Sequence, residues 1–433
     1  MQHIPKRYRA QFTDRFINYV RETGEMMIQM ELVFDSHLDV DRLKKALDLT
    51  LDAEPVLGCR FVKNWWRPRW ERLDTGGREV LTLADSVRPY EEFMHAPINI
   101  YTGPQVKACL LRDTKGDRLL IKVAHEVSDA SGVRQIVKII SSTYSRLAHE
   151  PEYRPEPNIN GDRSIWQALR NVPLHAYPVI WYNYYRIYTI PTMYPVVSIH
   201  LPIVADNDRK LEFISRRVPE NLSQRIIDYG RQRNATLNDV ILAAYFHAVT
   251  AAADWNRKSQ LRLRVTVDLR RYKKDVNKGG ICNLSGMEVI NLGTDLNSSD
   301  FDYTLKRIST FMEQRKAKWI GINDYVGLAP STVCWPHSLT NKIMVGIIQS
   351  SVKSGQAPYT FTNMGAIEQK DVTFDKPPVE ARLLPPVNYP PVIMFCLSSY
   401  NGTLTISSGS YPCSKKHLDR CLDEMVTVLN RLP

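Results

Sequence analysis

The chain has 433 residues, with 57 Lys and Arg against 46 Asp and Glu, 43% hydrophobic side chains and 24% charged ones. At roughly 100–200 residues per domain this is two or three domain-sized units or one large two-lobed body, and the apolar share excludes wholesale disorder. Charges interrupt each apolar run before the roughly 18 residues that a membrane-spanning helix needs, and the formal charge of +11 is spread along the chain without a nucleic-acid module to organise it.

The first apolar run, Glu25 to Phe34, reads as a buried strand. Val40, Leu43, Leu47, Thr50 and Leu51 then share one helical face behind Asp39 as N-cap, and Pro55 stops the helix before an extended run from Val56 to Val62. Arg118 to Ala124 is the next strand, and Val133, Ile136, Val137, Ile140, Tyr144 and Leu147 mark a helix after it. Prolines and polar residues between Pro151 and Arg163 close a first unit. An aromatic segment follows, Trp166 to Val204, carrying Tyr177, Trp181, Tyr182, Tyr184, Tyr185, Tyr188 and Tyr194. It suits crossover packing, the wall of an apolar tunnel, or contact with a lipid surface. Beyond it come strand 211–215, helices 221–233 and 237–252, strands 261–269 and 288–292, and helix 304–318. Strand 359–362, a hairpin through Asn401-Gly402 and helix 415–429 complete the chain. The expected division is 1–165, a crossover at 166–209, and 210–433.

The opening Met1-Gln2-His3-Ile4-Pro5-Lys6-Arg7 lacks the apolar core of a secretion signal. The seven cysteines (59, 109, 282, 334, 396, 413, 421) form no Cys-x-x-Cys pair. A reducing cytoplasm is therefore expected, with neither a zinc ribbon nor a disulfide framework. Gly-x-Ser-x-Gly, Gly-x-Gly-x-x-Gly, Walker and His-Glu-x-x-His signatures are all absent, which argues against the corresponding hydrolases, dinucleotide enzymes, nucleotide-binding enzymes and zinc proteases.

The most chemically loaded place lies between strand 118–124 and the helix after it: His125-Glu126-Val127-Ser128-Asp129-Ala130-Ser131-Gly132. An imidazole at a strand end serves as a general base once something selects its tautomer, and an Asp at a helix start serves as cap or ion-pair partner. Thr236 and Asn238 suit a helix cap, with Asp239 in the first turn facing the dipole. Asn283 and Ser285 suit turn chemistry, or donation to an oxyanion.

Ala124 to Ala130 resembles the His-His-x-x-x-Asp-Gly motif of the condensation-domain and chloramphenicol-acetyltransferase-like superfamily, which includes peptide-synthetase condensation domains, alcohol acetyltransferases, wax-ester synthases and polyketide-associated acyltransferases. The flanking segments follow in the family's order. Leu43 to Phe61, ending Glu54-Pro55-Val56-Leu57-Gly58-Cys59-Arg60-Phe61, is similar to its helix and His-Pro-x-Leu-Arg-x-Arg-Phe strand. Ala235-Thr236-Leu237-Asn238-Asp239 is similar to a wax-ester-synthase helix. Val267-Asp268-Leu269-Arg270-Arg271 resembles the Val-Asp-Leu-Arg strand, Asn283-Leu284-Ser285-Gly286 the following turn, and Thr362-Asn363-Met364-Gly365 the Ser-Asn-x-Gly strand. The likeness runs over nearly the whole chain. Ala124 replaces the first motif His, Ala130 the motif Gly, and Gly58 a frequent Arg.

This resemblance implies an α/β fold of two chloramphenicol-acetyltransferase-like lobes with mixed sheets and an active-site tunnel between them. His125 is then the general base of an acyl transfer from a CoA or carrier-protein thioester to a hydroxyl or amine. Asp129 forms a structural ion pair, with Arg60, Arg270 or Arg271 as partner. Asn238, Asp239, Asn283, Ser285 and Thr362 are the further candidates for substrate or oxyanion contact. No metal and no cofactor are expected beyond the CoA or phosphopantetheine thioester as co-substrate. Arg262, Arg264, Arg270, Arg271, Lys273 and Lys274 are expected to steer that anionic donor. The expected partners are an acyl-CoA or acyl carrier protein and a small alcohol or amine, with peripheral membrane contact as an option and no nucleic acid. The competing readings are a docking or recruitment module that kept the fold without the reaction, and a tunnel turned to cyclisation or hydrolysis.

Overall fold

Apolar periodicity and capping chemistry account for most elements of the computed structural model, which describes residues 4–193, 196–206, 208–253, 259–275, 279–294 and 300–433. Tyr194 of the aromatic segment lies outside the described residues. Helix α1 (Phe12–Val20) precedes strand β1 (Met27–Val33), buried along nearly its whole length. Helix α2 (Val40–Ala53) starts where Asp39 accepts a hydrogen bond from the Arg42 N–H at 2.9 Å. Residues Pro55–Gly58 form a tight 3₁₀ turn, so the extended run begins only at Cys59 rather than at Val56. Strands β2 (Leu81–Ala84), β3 (Val106–Asp113) and β4 (Gly116–Ala124) follow, and then helix α3 (Ala130–Leu147).

The aromatic segment forms helix α4 (Tyr177–Tyr184) and a π turn (Tyr185–Thr189). Its buried side, with Ile165, Leu169 and Ile180, packs into the core of the second lobe. That lobe contains β5 (Glu212–Val218), α5 (Glu220–Gln232), α6 (Leu237–Ala252), β6 (Arg262–Asp268), β7 (Ser285–Asn291), α7 (Phe301–Lys316), α8 (Asn323–Cys334), α9 (His337–Lys353) and β8 (Tyr359–Ile367). The chain ends with β9 (Glu380–Leu384), the hairpin β10 (Met394–Tyr400) and β11 (Thr403–Ser410), and α10 (Pro412–Asn430).

Two mixed sheets organise the molecule. One has the strand order β9-β1-β4-β3-β2 and the other β5-β11-β10-β8-β6-β7. In the first, β1 and β4 pair antiparallel with Met27 opposite Ala124, while β2 and β3 run parallel. In the second, β6 lies parallel to β8 and β8 parallel to β10, and the remaining pairs are antiparallel. Helices α2 and α3 cover the first sheet, and their apolar faces make its core with Met30, Leu32, Ile121 and Val123. Strand β9 belongs to the first sheet although it lies far along the second half of the chain. It pairs antiparallel with β1, with Leu383 opposite Met30. The chain thus returns from its second half to supply the edge strand of the first sheet.

Candidate functional site

The lobes meet where β4 ends. The His125 N–H bonds the Met26 carbonyl at 3.0 Å, continuing the β1–β4 pairing by one residue. The chain then turns through 126–128 into α3, whose N-cap is Asp129. The His125 Nδ1 lies 2.8 Å from the Ser128 carbonyl oxygen. A carbonyl only accepts, so Nδ1 carries the hydrogen and Nε2 keeps its lone pair. Burial lowers the imidazole pKa below its ordinary value of 6.5, despite the opposing pull of the Ser128 hydrogen bond and the Asp129 and Glu126 carboxylates. At neutral pH the ring is therefore an uncharged base with a defined tautomer. It retains partial exposure while Val127 and Ser128 behind it are fully buried.

Asp129 has its carboxylate fully engaged. Oδ1 accepts from the Gly132 N–H at 2.9 Å, and Oδ2 accepts from Arg270 Nη1 and from the Leu284 N–H, each at 2.8 Å. Its burial alone raises its pKa. The Arg270 charge and these hydrogen bonds outweigh that and hold it below the usual carboxylate range. Arg270 also donates to the Cys282 carbonyl at 3.2 Å, so one buried ion pair ties the start of α3 to the turn before β7 in the other lobe. Arg60 does not take part. On its strand Cys59 and Phe61 point inward and Arg60 outward, where it pairs with Glu71 at 3.0 Å and lines an open cleft of about 840 Å³ with Lys6, Arg7 and Arg72. Arg271 is exposed over the Tyr272 ring.

Asn283 is brought to His125, its Nδ2 lying 3.4 Å from Nδ1 and 3.5 Å from the His125 carbonyl. Both nitrogens carry hydrogens, so the first is a packing contact. The Asn283 Oδ1 accepts from the Ser285 N–H at 3.1 Å, and this Asx turn sets the end of β7 against the histidine loop. The Ser285 carbonyl accepts from the Tyr325 hydroxyl at 2.6 Å. Asp239 acts as the partner of a capping box, accepting from the Thr236 N–H at 2.9 Å and hydroxyl at 2.7 Å. Asn238 sits beside it, half-buried in the first turn of α6. Thr362 bonds Thr266 across β8 and β6, hydroxyl to hydroxyl at 2.7 Å. Among the six basic candidates, Arg262 and Arg270 are interior. Arg262 donates to the Val196 and Gln356 carbonyls at 3.2 and 3.1 Å, and these segments cover it while Arg264 on the same strand stays half-buried.

Three supports of the site escape sequence reading. Glu126, with no exposed surface, receives a bidentate bond from Arg21 at 2.6 and 2.9 Å. Arg163 grips Asp14 at 3.1 and 3.0 Å and donates to the Ile281 carbonyl at 2.7 Å, joining α1 to the turn that holds Asn283. Arg134 on α3 reaches across to the Met364 carbonyl of β8 at 2.6 Å. A carboxylate beside the motif histidine signals a need for a cation, but spacing alone does not select Arg21 from 57 basic residues. Among the described residues no cluster of His, Cys, Asp and Glu side chains could hold a metal ion, and no helix is long and apolar enough to cross a membrane.

No protein-family profile matches the chain, and no curated protein matches its sequence. Solved structures do match its fold. The first condensation domain of the CDA synthetase superposes with a TM-score of 0.69 at 15% identity, covering 99% of this chain and 97% of that one. The TRI3 trichothecene 15-O-acetyltransferase from Fusarium sporotrichioides gives 0.67 at 12% identity, over 97% and 95%. Polyketide synthase associated protein 5 from Mycobacterium tuberculosis gives 0.64 at 14% identity, over 98% of each. With two mixed sheets, a histidine loop at their junction and these likenesses over 97–99% of its length, the chain has the two-lobed α/β fold seen in the condensation domain and the acetyltransferase.

Proposed function

We propose that the protein is an acyltransferase that moves an acyl group from a CoA or phosphopantetheine thioester to a hydroxyl or amine, with His125 as general base. The observation that carries this reading is the hydrogen bond from Nδ1–H to the Ser128 carbonyl, which leaves Nε2 free and neutral where the two lobes meet. In the proposed reaction Nε2 removes the acceptor's proton as its oxygen or nitrogen attacks the thioester carbonyl. The tetrahedral adduct collapses, the C–S bond breaks, and the imidazolium returns the proton to the thiolate. The donor arrives and leaves as a co-substrate in a tunnel between the lobes, and no resident cofactor takes part. Asp129 and Arg270 hold the loop and do not touch the reacting atoms.

The departures from the motif fit this reading. Ala130 is the first residue of α3 with an ordinary helical backbone, so no glycine is required there. Ala124 is fully buried at the end of β4 and leaves His125 as the motif histidine. The test is free-thiol release from acetyl-, octanoyl- and palmitoyl-CoA and from acylated carrier protein, with panels of alcohols and amines. His125→Ala is expected to lower turnover by about 10²–10⁴ with an unchanged melting temperature. Equal thiol release by the variant, or none by the wild type from any donor, overturns the reading, and the latter outcome favours a recruitment module.

A further inference from the structure

Helix α9 is unusually bare. Of its 17 residues only His337 and Thr340 are buried, while Leu339, Ile343 and Ile347 are exposed at 46%, 38% and 58%. Spaced four apart, these three form one ridge on the helix surface. Two exposed tryptophans are tied to the start of this helix: the His337 N–H donates to the Trp66 carbonyl at 3.3 Å and the Ser338 N–H to the Trp65 carbonyl at 3.2 Å. Just past the other end, the Ser198 N–H bonds the Gly355 carbonyl at 2.9 Å, bringing in the crossover. There α4 packs on α8 and leaves Trp181 and Tyr182 exposed.

The charge pattern of this face is as specific as its apolarity. No Asp or Glu occurs between Asp162 and Asp206, nor between Asp324 and Glu368, the two stretches that contain the crossover and nearly all of α8 and α9. Lys342 and Lys353 lie on α9 itself. Single exposed apolar residues need no explanation, but a ridge with tryptophans at its end, no acid along the helix itself and two lysines on it does, Glu22 of the neighbouring Arg21–Thr23 turn being the exposed carboxylate beside it.

We infer that this face seats on an anionic bilayer surface, with α9 lying in the interfacial plane. A helix of 17 residues is about 25 Å long. Its apolar ridge enters the headgroup–acyl boundary, the lysine stems extend back to the phosphates, and the indoles take the interfacial position their amphipathic rings favour. The occupant is a lipid surface rather than a second copy, because a symmetric pairing of this face brings the lysines of the two α9 helices together with no acid in either stretch to oppose them. The inference does not depend on the acyl-transfer reading.

The test is flotation of the full chain with large unilamellar vesicles of phosphatidylcholine alone and with about 30 mol% phosphatidylserine. Binding is expected to the anionic vesicles, weaker binding to the neutral ones, and a decline as salt is raised from about 0.1 to 0.5 M. The double variant Ile343→Asp/Ile347→Asp is expected to lose partition at least ~10-fold at unchanged melting temperature, while Ile343→Leu/Ile347→Leu keeps it. If the Asp variant misfolds, Trp65→Ser/Trp66→Ser reads the same face from a different element. Equal partition of the folded variants and wild type overturns the inference, as does failure of the wild type to bind either vesicle. So does a concentration-dependent dimer that the Asp variant dissociates, since the face is then an interface between copies.

Discussion

For His125 to serve as the proposed base its proton must sit on Nδ1, and the Ser128 carbonyl three residues on makes that choice. Because burial holds the His125 pKa below 6.5, log(kcat/KM) is expected to be flat through neutrality and to fall only in acid, with its midpoint below that value. An acid limb centred at or above 7, absent in His125→Ala, would contradict this assignment. Asp129→Ala is expected to lower stability in chemical denaturation by more than the roughly 0.5–2 kcal/mol of a lost helix cap, since it also removes the buried partner of Arg270 and leaves that guanidinium only Asp268 at 3.2 Å as a counter-charge. Lys122 supplies a second pH-sensitive point. It is 2% exposed, donates to the carbonyls of Phe93 and Ala96, and burial lowers its pKa to about 7. Between that value and the ordinary 10.5 the unfolded chain binds more protons than the folded one, so this residue makes stability rise with pH across the window. Compared with Lys122→Met over pH 7–10, wild type is expected to gain stability steadily. Parallel pH profiles for the two proteins would refute the buried-amine account.

The helices and strands most legible in the sequence are those whose neighbours are local. Helix α6 follows directly from Thr236 and its capping box, and β10–β11 from Asn401-Gly402, whose φ angles of 45° and 76° suit a primed hairpin turn. Helix α9 escapes sequence reading because its apolar ridge is exposed and only His337 and Thr340 are buried, so no core-facing stripe marks it. Two glycines of the resemblance motifs have a packing reason rather than a chemical one. A Cβ on Gly286 of β7 would lie 1.9 Å from the Gly321 carbonyl oxygen, and a Cβ on Gly365, at φ +83°, would lie 2.0 Å from the guanidinium of Arg134. Backbone cannot yield as a side-chain tip can, so Gly286→Ala is expected to cost about 1–3 kcal/mol or more, measured by urea midpoint. A neutral effect would mean that the turn at 321 moves freely.

The two lobes are not separable bodies. Strand β9 completes the first sheet from the second half of the chain, Arg382 on it pairs with Glu31 at 2.6 Å, and Met364, Ile367 and Cys396 enter the first lobe's core. The pairs Asp129–Arg270 and Arg134–Met364 add further ties across the junction. A single calorimetric unfolding transition is therefore expected. A chain truncated after residue 205 is expected to aggregate through the open edge of β1. Two well-separated transitions, or a monomeric folded truncation, would show the lobes to be independent.

What the sequence determined by itself is local: the strand–His125–helix unit with Asp129 at its cap, the capped helices α2 and α6, and the motif sequence that resembles a two-lobed acyltransferase fold. Each depends on residues within a turn or two, where spacing translates directly into geometry. The tertiary structure decided between partners that spacing leaves equivalent. It chose Arg270 over Arg60 for Asp129, because strand alternation turns Arg60 outward to Glu71. It placed Asn283 against His125 from another lobe, covered Arg262 with the segments at Val196 and Gln356, and carried β9 across to β1. These are contacts between segments more than a hundred residues apart, or consequences of strand order. Many chain paths satisfy the same local pattern, and only the packed molecule selects one.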